Sequence, residues 1–166
     1  MQVMQTDFLA IDPSLEPYRS VTAVQLDPTC SGTGMVERAS YQMEAGGNAS
    51  IAGDGHSERL RDLAAMQLGL LRHAMSFPNA RVVVYSTCSV HPVEDELVVL
   101  AALRDKTVRA AGWRLAHALP QWPCRGLPLL PGAEADKLLR AGPEWQTNGF
   151  FVARFERQTL NLHTRG

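Results

Sequence analysis

Lysine is nearly absent from this chain. Of its 16 cationic residues only Lys106 and Lys137 are lysines, and they stand against 17 acidic ones for a net charge of −1. No stripe or run of basic residues occurs, so affinity for nucleic acid does not come from bulk charge. The arginines remain suited to gripping single phosphates in bidentate fashion. Cysteine is scarce as well. Three of them, without Cys-X-X-Cys spacing, exclude the framework of a small disulfide-stapled domain, and they give no support to a zinc site. No apolar run is long enough to span a membrane, and no signal-peptide pattern opens the chain. A reducing compartment is the expectation. The length of 166 residues with 45% hydrophobic content suits one compact domain.

Two stretches repeat one device. Val21–Leu26 is a β-branched, apolar run followed by Asp27-Pro28-Thr29-Cys30-Ser31-Gly32-Thr33-Gly34. Arg81–Ser86 is a second such run, leading into Thr87, Cys88 and Ser89, with Pro92 close behind. Each reads as a buried parallel strand that delivers a thiol to its carboxyl edge, where ligands bind in open α/β sheets. Adjacent strands lie roughly 4.8 Å apart, so Cys30 and Cys88 are expected to face one small molecule, with Asp27 in the same crevice. Alone, Cys88 reads as a core cysteine and Cys30 as a small residue in a tight turn. Their matching positions favour chemistry. Cys124 has no partner signal.

Between and after these runs the pattern alternates. Residues 35–57 contain a Gly/Ala/Asn-rich middle without periodicity and read as a flexible loop. Ser57 is a candidate N-cap for a helix whose stripe is Leu60, Leu63, Ala64, Met66, Leu70, Leu71, Ala74 and Met75. Pro92 opens the next helix, whose apolar positions include Leu97, Val98, Leu100, Ala101 and Leu103. Glu94, Asp95 and Glu96 read as complements to its positive end. Trp113–Ala116 is a short strand. Residues 119–143, rich in Pro and Gly, read as an irregular surface segment. Gly149–Phe155 is a last strand, and residues 159–166 a tail. Strand–helix–strand alternation implies right-handed crossovers and a mostly parallel sheet.

The motifs at Asp27–Gly34, Tyr85–Ser89 and Gly149–Ala153, in this order, resemble those of the Sun/Fmu (NSUN-type) RNA cytosine-C5 methyltransferases. The likeness covers roughly residues 7–157. Asp27-Pro28-Thr29-Cys30 in place of the usual Asp-Ala-Pro-Cys resembles the branch that modifies large-subunit ribosomal RNA. So do Trp122-Pro123, Arg125-Gly126 and Pro131-Gly132-Ala133-Glu134. The resemblance implies a Rossmann-like fold, S-adenosyl-L-methionine as cofactor and RNA as partner, with no metal and no membrane. In a eukaryote it implies a nuclear or nucleolar setting, otherwise a cytoplasmic one. It makes Cys88 the nucleophile at cytosine C6 and Cys30 the residue that assists product release. Asp27 activates the ring and contacts the cofactor. Asp7 is a further cofactor contact, and Arg140 and Phe150 are substrate contacts.

The family's glycine-rich first strand-turn and its ribose-holding acid have no counterpart here. The expectation is therefore the C-terminal part of a catalytic domain over residues 1–158, lacking its first two strands, with Met1–Gln5 as the third. Such a piece is expected to be inactive alone, and either to self-associate through its open Val21–Leu26 edge or to be a marginally stable, aggregation-prone monomer. The rival is a non-catalytic remnant that binds RNA or a protein. A Cys88–His91 hydrolase dyad lacks any legible orienting residue.

Overall fold

The computed structural model describes residues 3–35 and 54–158. The expected loop therefore lies largely outside the described residues, as does the 159–166 tail. At its end the loop gives way early: the backbone is helical from Asp54, so Ser57 is inside the helix and not its cap.

Among the described residues, five strands form one sheet: β1 (Ala23–Leu26), β2 (Val82–Thr87), β3 (Trp113–Ala116), β4 (Leu139–Ala141) and β5 (Phe150–Arg157). The α-helices described are α1 (Asp54–Ser76), α2 (Glu96–Arg104) and the short α3 (Lys106–Ala110). The order is β1-β2-β5-β3, with β4 also paired to β5. β1 and β2 run parallel, Ala23 opposite Val82 and Leu26 opposite Tyr85, as α1 crosses over between them. β5 is antiparallel to β2, β3 and β4. The sheet is thus mixed within the described residues. The reason is local: β5 is entered from β4 through the turn at Pro143–Trp145, with no helix to carry the chain back to the other end. Residues 3–5 are not a strand, contrary to expectation; the chain passes directly to a short 3-10 turn at Phe8–Ala10.

Alternation along the strands gives the sheet one buried face. Val83 and Tyr85 from β2 join Phe151, Ala153 and Phe155 from β5 and Trp113 and Leu115 from β3. Leu71, Ala74 and Met75 of α1 and Val98, Val99 and Ala102 of α2 pack onto them. The Trp113 indole N–H donates to the Met75 carbonyl at 2.9 Å, which satisfies the one polar atom that this buried ring brings in. On the opposite face Ala23, Gln25, Arg114 and Phe150 are exposed, and Val82, Val84 and Val152 are half-buried. Three registers differ from expectation. Met66 and Leu97 are exposed, while Gln67 is completely buried on the stripe of α1.

The 119–143 segment is more than surface. Leu130 and Leu138 enter the core. Arg125 holds the segment together, its guanidinium donating to the carbonyls of Ala118, Leu119, Pro120, Trp122 and Leu138. One side chain thereby satisfies acceptors that no regular ladder reaches.

Candidate active site

β1 and β2, being parallel neighbours, end side by side, and their continuations carry the two thiols to one place. Cys30 Sγ and Cys88 Sγ are 3.3 Å apart. Asp27 leaves the end of β1 and accepts a hydrogen bond from the Ser86 hydroxyl of β2 at 3.0 Å. A cleft of about 480 Å³ opens over them, lined by Asp27, Pro28, Thr29, Cys30, Gly32, Met35 and Cys88. Its size falls in the range of small-ligand sites.

Backbone contact fixes the Cys30 turn. Gly34 N–H donates to the Cys88 carbonyl at 2.9 Å, and Gly149 N–H donates to the Gly34 carbonyl at 2.8 Å. A Cβ on Gly34 would lie 2.2 Å from the Gly149 carbonyl oxygen, so only glycine permits this approach. Three motifs distant in sequence thus meet along one line of backbone. Burial first, and then the hydrogen bond shared with Cys88, push the Cys30 thiol well above its ordinary pKa. Cys30 therefore holds its proton at neutral pH.

Glu94, Asp95 and Glu96 all have zero exposure, so their roles extend beyond complementing the helix end. Each has its own partners. Glu94 accepts from Ser31 N–H at 2.9 Å, Gln67 Nε2 at 3.0 Å and Ser89 Oγ at 2.6 Å. Asp95 accepts from the Thr87 hydroxyl at 2.6 Å and from Arg140 at 2.9 Å. Glu96 takes Arg140 in a two-pronged pair, at 2.7 and 2.6 Å, and the Leu127 N–H at 2.9 Å. Arg140 is only 14% exposed and also donates to the Val90 carbonyl at 3.2 Å. Its guanidinium is committed to these internal acceptors and lies 5.6 Å from the Phe151 ring centroid.

The remaining expected residues lie apart from the thiols. Asp7 caps the 3-10 turn, accepting from Leu9 N–H at 3.0 Å, and is not among the residues lining the cleft. Phe150 is on the exposed face of β5, while Phe151 is core. Cys124 is a half-buried free thiol. Gln67 was missed altogether. Its signal was its register: it lies four residues before Leu71 and seven after Leu60, a polar residue on an otherwise apolar stripe.

Residues 1–156 match the family model described as 16S rRNA methyltransferase RsmB/F. The chain belongs to this family. It is 44% identical over 157 residues to a mouse 28S rRNA (cytosine-C(5))-methyltransferase, covering 94% of this chain and 31% of that protein. It is 38% identical to the 25S rRNA (cytosine-C(5))-methyltransferase rcm1 of Schizosaccharomyces pombe, covering 95% of this chain and 35% of that protein. The chain therefore spans about a third of the length of these relatives. Among solved structures, NSun6 from Pyrococcus horikoshii aligns at a TM-score of 0.58 and 21% identity, over 94% of this chain and 34% of that one. A methyltransferase homologue from the same organism aligns at 0.57 and 22%, over 82% and 39%. The fold is the Rossmann-like methyltransferase fold.

Two outcomes follow from the buried charges. Arg140→Ala leaves Asp95 and Glu96 without their cation in the core and is expected to cost about 3–5 kcal/mol in a urea titration. Lost RNA affinity at unchanged stability would instead mark Arg140 as a phosphate contact.

Asp95 supplies the second outcome. Burial, the largest influence, pushes its carboxyl up to about 8, against the Thr87 hydroxyl and Arg140, while Glu96 and Glu94 add to the rise. The folded value exceeds the unfolded one of about 4, so the native state binds the proton more tightly. The resulting stability is fully present below about pH 4 and is lost progressively as pH rises toward 8. Asp95→Asn, neutral throughout, is expected to flatten the decline of the urea midpoint between about pH 5 and pH 8; an unchanged slope would show that Asp95 is ionised in the folded state.

Proposed function

We propose that this chain supplies the cytosine-reacting part of an enzyme that methylates C5 of cytosine in ribosomal RNA, with S-adenosyl-L-methionine as methyl donor. The observation that carries this reading is the thiol pair at 3.3 Å beside a strand-end carboxylate, in a cleft of small-ligand size. Family membership and the names of the relatives support it. Cytosine C5 is a weak nucleophile, and a thiolate added at C6 makes it enamine-like, which divides one hard step into two easier ones. Cys88 is the thiol assigned to that addition. Asp27, exposed at the end of β1, is assigned to the N3/N4 edge of the base. The bound cofactor supplies a methyl group on a sulfonium.

Methyl transfer leaves C5 carrying both the methyl group and its original proton. Transfer of that proton to solvent water in the open cleft returns the electron pair to the ring, breaks the bond from C6 to sulfur and restores the Cys88 thiolate. Cys30 is assigned to this release, in keeping with a thiol that burial keeps protonated and that touches the departing sulfur. The base must come out of any stack to reach the cleft. Phe150 is exposed on the strand that follows Gly149, consistent with a contact to the incoming RNA. Asp27 and Asp7 are proposed on the cofactor side, Asp7 by family resemblance alone. Large-subunit rRNA as the target, and the nucleolus as the setting in a eukaryote, follow from the kind of relative matched.

Covalent trapping tests the assignment. In the intact protein carrying this chain, with a cytosine-containing RNA and cofactor, Cys30→Ala is expected to accumulate a protein–RNA adduct on a denaturing gel. Cys88→Ala, alone or combined with Cys30→Ala, is expected to abolish it. An adduct that survives loss of Cys88 would reassign the nucleophile.

Self-association is the finer part of the partner reading. β1 is at the edge of the sheet, and among the described residues its outer side has no ladder partner. Open edges of this kind template pairing with another chain. Sedimentation velocity on this chain is expected to show a concentration-dependent oligomer with protected Ala23–Leu26 amides; a monomer at all concentrations would remove the proposal.

A further inference from the structure

We infer that Glu94 is a positioning residue that sets the spacing of the two thiols by clasping both cysteine loops in one carboxylate. The inference concerns the thiol pair itself and takes its catalytic meaning from the function proposed above. Ser31 directly follows Cys30, and Ser89 directly follows Cys88. Glu94 Oε1 accepts the Ser31 N–H and Oε2 accepts the Ser89 hydroxyl, so the carboxylate reaches within one residue of each sulfur. The two serines also meet directly, Ser31 Oγ donating to Ser89 Oγ at 3.2 Å.

Helix α1 contributes the third arm. The Gln67 amide donates both to Glu94 Oε1 and to the Thr29 carbonyl, each at 3.0 Å, so it holds the Cys30 loop from its other side. Glu94 is itself anchored, because the Tyr85 hydroxyl donates to its main-chain carbonyl at 2.6 Å. Tyr85 is three residues before Cys88 on β2 and completely buried. Every group in this chain of contacts is thus fixed to the core or to a cysteine loop. Burial opposes the charge on Glu94, yet hydrogen bonds from Ser31, Ser89 and Gln67 outweigh it and hold the carboxyl below its usual range. The clasp is ionised at neutral pH.

Neighbouring carboxylates do not share this role. Glu96 reaches Arg140 and Leu127, and Asp95 reaches Thr87 and Arg140; neither touches the Cys30 loop. That contrast provides the control. A thiol pair held in contact closes readily to a disulfide, whereas a displacement of about 1 Å can slow a positioned reaction by as much as about a hundredfold.

The experiment follows closure of Cys30–Cys88 in this chain with diamide, an azodicarboxamide oxidant. Two S–H bonds break, one S–S bond forms, and both hydrogens pass to the azo nitrogens to give the hydrazine. Closure is followed by peptide mapping of the Cys30–Cys88 linkage. Glu94→Gln and Ser89→Ala are each expected to slow closure about tenfold or more, on the scale set by misplaced reactants. Glu96→Gln is expected to lower stability and leave the closure rate unchanged. The sign excludes a simple charge effect: removing a buried anion near the thiols favours the thiolate and would speed attack. An unchanged rate in Glu94→Gln overturns the inference. If that variant does not fold, an unchanged rate in Ser89→Ala does so. Equal slowing in Glu96→Gln would reduce Glu94 to a general stabiliser. No methyl transfer enters the measurement, so its failure and failure of the RNA trapping experiment are separate results.

Discussion

Three consecutive acidic side chains, all completely buried, two bonded to one guanidinium and the third to the cysteine loops, are the constraint on which the described structure turns. Burying a charge is costly unless it is paired and hydrogen-bonded. Glu94, Asp95 and Glu96 escape that cost by fanning out from the turn before α2, each side chain leaving in its own direction. Glu94 goes to the cysteine loops, Asp95 to Thr87 and Arg140, Glu96 to Arg140 and the Leu127 amide. Arg140 sits on β4, and the 119–143 segment ends there. Glu94 thus settles the thiols while its two neighbours dock that segment against α2, so one turn serves both the site and the far edge of the sheet.

Much of the site was legible because its signals are local. A β-branched run that stops at Cys-Ser needs only its own neighbours to be read as a strand ending in a reactive turn. Two such runs imply adjacency once a crossover helix stands between them. The parallel pairing of Ala23–Leu26 with Val82–Tyr85 bears this out. The buried acids were illegible for the opposite reason. Their cation lies 44 and 45 residues away, and acids at a helix start have a complete local explanation in the helix dipole. Gln67 fell between the two cases. Its register was visible, but a stripe is searched for apolar residues, and a polar residue buried there becomes meaningful only when its partner is known.

The direction of β5, the one described strand that runs against the others, had no signal of its own in the sequence. Strand–helix alternation predicts parallel neighbours, and the rule holds for β1 and β2, where α1 returns the chain to the starting end of the sheet. The Pro and Gly-rich segment that takes the helix's place later still joins strands of one direction, β3 and β4; only the tight turn at Pro143–Trp145 reverses the chain into β5. Trp122 and Arg125 fasten that segment through donors to main-chain carbonyls, the indole to Arg140 at 2.8 Å among them. Such donors carry no periodicity, so a fixed segment and a loose one look alike in sequence.

The glycines at the junction show why the site needs three motifs. Gly34 is bonded to the Cys88 carbonyl on one side and to Gly149 on the other. The contact leaves no volume for a Cβ at either glycine, since one on Gly149 would come within 2.7 Å of Gly34 Cα. Close approach of backbones fixes where the Cys30 turn ends, and the Gln67 bond to Thr29 and the Glu94 bond to Ser31 hold the residues on either side of Cys30. Between Ser31 and Gly34 lie only Gly32 and Thr33, and the Thr33 hydroxyl itself accepts from Val90 N–H at 3.2 Å. A loop held so closely has few ways to move its sulfur. The separation of the thiols is therefore set by main-chain contact and one buried charge, and the chemistry of the cleft inherits its geometry from residues that do not line it.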